Sequence, residues 1–69
     1  MNEYIMLGLR LTSGISKSKF FEKFNTNIKE HFNQIDQLIK EKLLIEKDDF
    51  IFIPEHLFYI SNYIITKII

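Results

Sequence analysis

At 69 residues with no cysteine, the chain is one small domain at most, and it has neither a disulfide nor a thiolate metal site to hold it together. A hydrophobic share of 46%, rich in Phe, supplies a packed core and excludes a chain disordered by composition. Nine basic residues balance nine acidic ones, so the formal net charge is zero and the basic excess of a dedicated nucleic-acid binder is missing.

The first predicted element is a helix from Glu3 to about Leu11, with Asn2 placed as its N-cap. Tyr4, Leu7, Gly8 and Leu11 recur at i, i+3, i+4 and i+7 and share one face. Ile5, Met6 and Leu9 cover most of the opposite side, leaving only Glu3 and Arg10 as a polar stripe. A helix apolar on nearly all sides is buried on nearly all sides. A chain this short has little with which to cover it, so a second partner from outside the chain is expected. Thr12-Ser13-Gly14 forms a short loop, with Gly14 as the helix stop.

Ser16 is placed to cap a second helix, about Lys17 to Phe24, with Ile15 and Phe20 positioned for a hydrophobic staple. Phe20, Phe21 and Phe24 are expected inward, and Lys17, Lys19 and Lys23 outward. Asn25-Thr26-Asn27 breaks the helix, and Asn27 with Glu30 reads as a capping box. A third helix, about Ile28 to Lys42, carries the stripe Ile28, Phe32, Ile35, Leu38, Ile39 and Leu43. Leu44 to Ile53 reads as a hairpin with an Asp-rich turn, Lys47-Asp48-Asp49. Pro54 ends it and opens a last helix, about Glu55 to Lys67. Three helices, a two-stranded β-hairpin wing and a C-terminal helix make a mainly α, winged-helix-like fold in a single domain, 1–69.

The stretch Met6-Leu7-Gly8-Leu9-Arg10-Leu11-Thr12, then Gly14-Ile15-Ser16, resembles the start of the C-terminal domain of the oxygen-independent coproporphyrinogen III oxidase-like family. These are radical S-adenosylmethionine proteins, and one branch acts as haem chaperones. Phe20, Phe24 and Ile28, the Leu38-Ile39 and Leu43-Leu44 run, and Ser61-Asn62 also fall where that family has similar residues. The chain departs from the pattern at Pro54, where the family often has a capping Thr, and at Leu57, where it often has Gly.

The resemblance implies that this chain is the excised C-terminal module of a larger protein of porphyrin or haem biosynthesis or haem transfer. With no cysteine here, the 4Fe-4S cluster, S-adenosylmethionine, any haem and the chemistry belong to a barrel domain N-terminal to Met1. The module alone is then not an enzyme. It packs on the barrel and helps shape the tetrapyrrole site, and the Gly-Leu-Arg-Leu motif is closer to the haem-chaperone branch.

No residue pattern within the chain competes with that. His31 and His56 lie on different elements with no second ligand at metal spacing, so a haem-ligand role is disfavoured. Asp48-Asp49 reads as a solvated turn rather than a catalytic pair. Gly8 in a helix costs about 1 kcal/mol against Ala, which points to close approach of another helix. Arg10 reads as a surface ion pair with Glu3 or another acid, or as a contact at a domain interface. Tyr4, Met6, Arg10, Tyr59, Tyr63 and Ile69 are the candidate interface residues, facing the barrel or, in the isolated chain, a second copy. The alternative is a stand-alone winged-helix DNA-binding or adaptor domain, in which Lys29, Asn33, Gln37 and Lys40 contact the duplex; Glu30, Asp36 and Glu41 on the same face oppose it. No apolar run reaches the about 18 residues of a membrane span. No secretory signal is visible, and a reducing cytoplasm is the expected location.

Overall fold

The computed structural model describes all residues, Met1–Ile69. The elements are α1 (Asn2–Leu9), β1 (Ile15–Ser16), α2 (Lys17–Phe24), α3 (Ile28–His31), α4 (Gln34–Lys40), β2 (Ile45–Lys47), β3 (Phe50–Phe52), a 3-10 segment (Glu55–Ile60) and α5 (Ser61–Ile68). The fold is mainly α with a hairpin wing, as the periodicity predicts.

Helix α1 starts one residue earlier than expected. Met1 takes the N-cap position, no side chain caps it, and Asn2 is already helical. It also ends earlier, at Leu9, because the chain closes into a turn in which Gly14 N–H donates to the Leu11 carbonyl. Gly14 has φ +78°, and a Cβ there would collide with the Ile51 carbonyl oxygen and reach 2.5 Å from Phe52 Cβ. Only glycine meets both demands. The turn delivers Ile15 and Ser16 into a strand that the sequence reading omits. Two residues are too few to display a period of two. The sheet is therefore three-stranded, with order β1-β3-β2 and antiparallel throughout. Ile15 faces Ile51 across one ladder, and Glu46 faces Ile51 across the other.

Ser16 caps α2 as expected, its Oγ accepting from Lys19 N–H at 3.2 Å. Asn25, at φ 56°, ends α2 in the left-handed region that Asn tolerates. Phe20 is fully buried and Phe24 half-buried, but Phe21 is 52% exposed, contrary to its expected inward place. Phe20 and Phe24 stand four apart on one face, and Phe21 is about 100° round the helix from Phe20. Asn27 caps α3 through Lys29 N–H at 2.9 Å, while the reciprocal side-chain bond from Glu30 does not form.

The expected single helix from Ile28 to Lys42 is two helices. The backbone leaves α3 at Phe32 (φ −116°, ψ 79°) and re-enters at Gln34. Phe32 stays buried, its ring 6.3 Å from that of Phe20. Asn33, a poor residue for a helix interior, stands at the break. Lys42, at φ 65°, then sends the chain into the hairpin. The final segment is also divided. Pro54 opens a 3-10 turn, with Leu57 N–H donating to its carbonyl at 2.8 Å, and regular α-helix begins only at Ser61.

One apolar core joins these elements. Ile5 and Leu9 of α1, Phe20, Ile28, Ile35 and Leu38 meet Ile51 of the central strand and Ile64, Ile65 and Ile68 of α5. Burial of about 14 such side chains, at roughly 1.5–3 kcal/mol each relative to exposure, is the main favourable contribution to the fold.

Candidate functional site

The core takes only one side of α1. Ile5 and Leu9 are essentially inaccessible, whereas Leu7 is 67% exposed and Leu11, just past the helix end, 58%. Of the face that the sequence groups as Tyr4, Leu7, Gly8 and Leu11, the two leucines are thus outward, while Tyr4 and Gly8 are half-buried. This face borders a groove of about 380 Å³ lined by residues of α1, β1 and the start of α2 and by Phe50 of β3, itself 40% exposed.

Gly8 sits in the wall of this groove. A Cβ at this position would lie 2.5 Å from Ile15 Cγ1. The close neighbour that Gly8 admits is therefore the β1 side chain, not another helix as expected. This lets β1 lie close against α1.

The six expected interface residues divide into two sets. Tyr4 and Met6 are half-buried and pack against the core. The Tyr4 ring stands edge-on to Phe20 and Phe24, at 5.7 and 5.4 Å between centroids. Arg10, Tyr59, Tyr63 and Ile69 are exposed, Tyr59 at 83%. The guanidinium of Arg10 donates to Asn62 Oδ1 of α5 rather than pairing with Glu3, and so ties α1 to α5. Lys67 Nζ lies 5.0 Å from the Tyr63 ring centroid. Of the six, only Tyr4 lines the groove. Leu7, Leu11, Ile15 and Phe50, which complete its apolar lining, are absent from the expected set. The signal for the two leucines was their i, i+4 spacing opposite Ile5 and Leu9.

Two polar clusters fix the wing beside this groove. Asp49 is not a free turn residue. Its carboxylate accepts from Ser16 Oγ at 2.5 Å, Ser18 Oγ at 2.7 Å and Ser18 N–H at 3.0 Å. Its main-chain oxygen accepts from Lys17 N–H at 2.7 Å. The hairpin tip thus supplies a second cap to α2. The Ser16 and Ser18 bonds hold the Asp49 carboxyl below the usual carboxylate range. On the other side of the wing, Glu46 accepts from Lys17 Nζ at 2.6 Å and Lys29 Nζ at 3.0 Å, and Lys29 also pairs with Asp36 at 3.2 Å. Lys17 and then Lys29 depress Glu46, while Glu46 and then Asp36 raise Lys29. Lys29, a candidate DNA contact on the alternative reading, is held against two carboxylates.

His31 and His56 are both exposed, and no group of three His, Asp or Glu side chains is arranged to hold a metal ion. No helix is long and apolar enough to cross a membrane. Residues 1–56 match the family model described as the HemN C-terminal domain, which spans α1 through the wing and ends at the opening of the 3-10 segment. No curated protein and no solved structure matches the chain.

Proposed function

The chain belongs to the HemN C-terminal domain family, and from that premise we propose that it is the non-catalytic C-terminal module of an oxygen-independent coproporphyrinogen III oxidase-like radical S-adenosylmethionine protein. It docks on the N-terminal barrel of that protein through the outer face of α1 and helps shape the tetrapyrrole site. The single observation behind the docking role is the pair Leu7 and Leu11, exposed at 67% and 58% in the stretch that carries the family resemblance. Two large aliphatic side chains bordering one apolar groove are the pattern of a covered surface. The iron–sulfur cluster, S-adenosylmethionine and any haem belong to the barrel on this reading. Whether the parent oxidises coproporphyrinogen or hands on haem is decided there, in the cytoplasm. The pairing of Lys29 with Glu46 and Asp36 supports this reading over a DNA-binding one, because a phosphate contact by Lys29 would first have to break those pairs.

The test is a titration of the isotope-labelled chain with a radical S-adenosylmethionine barrel from a family member lacking its own C-terminal domain. Amide shifts at Leu7, Gly8, Leu11 and Phe50 are expected, and Leu7→Lys should remove them. Saturating barrel without shifts on α1 would reject the docking role.

A further inference from the structure

The groove beside α1 has two sides of different chemistry. The α1 side is apolar, with Leu7 and Leu11. The α2 side is cationic. Lys19 lines the groove; Lys23, one turn further along the same face of α2 and just outside the lining, holds its Nζ 5.7 Å from the ring centroid of the lining residue Tyr4 and 6.0 Å from that of Phe24. Neither lysine takes part in an ion pair, whereas Lys17 and Lys29 both do. No carboxylate lines the groove. Asp49 precedes the groove residue Phe50, but its carboxylate is taken by Ser16 and Ser18. Glu3 and Glu22 neighbour this region in sequence, but neither lines the groove nor pairs with these lysines.

An occupant apolar on all sides would cover the leucines and strip water from ammonium groups without replacing it. An occupant with carboxylates along one edge covers the leucines and meets the lysines, and those charges fix its register. We infer that the segment seated in this groove is amphipathic, with an apolar ridge facing Leu7 and Leu11 and carboxylates on the edge facing Lys19 and Lys23. The inference rests on the docking reading above and adds the chemistry of the N-terminal domain's contact segment.

Two synthetic helical peptides test it, sharing one leucine ridge and differing only in flanks of Glu or of Lys. Each is titrated into the labelled chain. The Glu-flanked peptide should shift Leu7, Leu11, Lys19 and Phe50 and bind about tenfold or more tighter than the Lys-flanked one at low salt. The gap should close as salt is raised. The double variant Lys19→Glu with Lys23→Glu, its fold checked by the spectrum, should reverse the preference. Equal binding of both peptides at the groove would overturn the acidic-edge inference and leave docking intact. Shifts from neither peptide, with the barrel still binding at Leu7 and Leu11, would also overturn it. Loss of barrel binding as well would remove the docking reading.

Discussion

Gly8 and Gly14 show how single residues set the geometry around the groove. Gly14 combines φ +78° with a backbone oxygen where a Cβ would go. Gly14→Ala should therefore cost about 3 kcal/mol or more, the sum of left-handed strain and overpacking. Chemical denaturation reads this as a lower midpoint; an unchanged midpoint would contradict the assigned backbone. Gly8 is the subtler case. Alanine gains about 1 kcal/mol of helix propensity over glycine, but its Cβ would lie 2.5 Å from Cγ1 of Ile15, which is only 2% exposed, so the packing between α1 and β1 must shift. Gly8→Ala should be net destabilising by about 1–2 kcal/mol. In an Ile15→Ala background it should be neutral or stabilising, a coupling that a double-mutant cycle measures. The acidic residues carry a prediction in pH. Asp49 and Glu46 both have folded-state pKa values below their unfolded ones. Their contributions are complete above the ordinary carboxylate range and are lost as pH falls through the depressed values. Acid should weaken the fold, and the double variant Asp49→Asn with Glu46→Gln should flatten that dependence. Lys29 behaves oppositely, since its raised pKa confines any loss to pH above the ordinary lysine range.

Among the elements, α1 has one side in the core and one side open. Its inner residues Ile5 and Leu9 build the core, and Leu7 on its outer side stays open. Leu7→Lys should leave the denaturation midpoint within about 0.5 kcal/mol of the parent, as expected for a surface position. Leu9→Ala should cost about 2–5 kcal/mol. A large loss from Leu7→Lys would mean that Leu7 is part of the core after all. The two-sided apolar character of α1 was legible from residue spacing alone, as were the caps at Ser16 and Asn27 and the hairpin around Asp48. Strand β1 was not, because Ile15 and Ser16 also satisfy a staple and a cap, and two residues show no alternation. The breaks at Phe32 and Ile60 were hidden for a related reason. Apolar steps of three and four continue across both, so periodicity reads one helix where the backbone makes two segments. Asp49 reads correctly as a solvated turn residue, but its hydrogen bonds are not legible, because its partners Ser16 and Ser18 lie 33 and 31 residues away and meet it only through the sheet. Of the groove's lining residues, Tyr4 belongs to the expected interface set and Phe50 does not, since its exposure depends on where β3 begins.

For the whole molecule, a chain of 69 residues that leaves Leu7, Leu11, Phe21, Phe50, Tyr59 and Tyr63 exposed carries more apolar surface than one small core consumes. In isolation, the α1 face should drive self-association. Sedimentation should show a mass that rises with concentration, and Leu7→Lys should restore the monomer. A monomer at high concentration without apolar-dye binding would count against the covered-surface argument. A domain that works as one end of a larger polypeptide shows itself in the size of the native protein in its source cells. An antibody raised against the domain, used on a denaturing blot, reads that size. A band several times larger than 8.3 kDa, the mass of this chain, is expected. A band at 8.3 kDa would contradict that role and leave a free-standing small protein whose partner must be sought elsewhere.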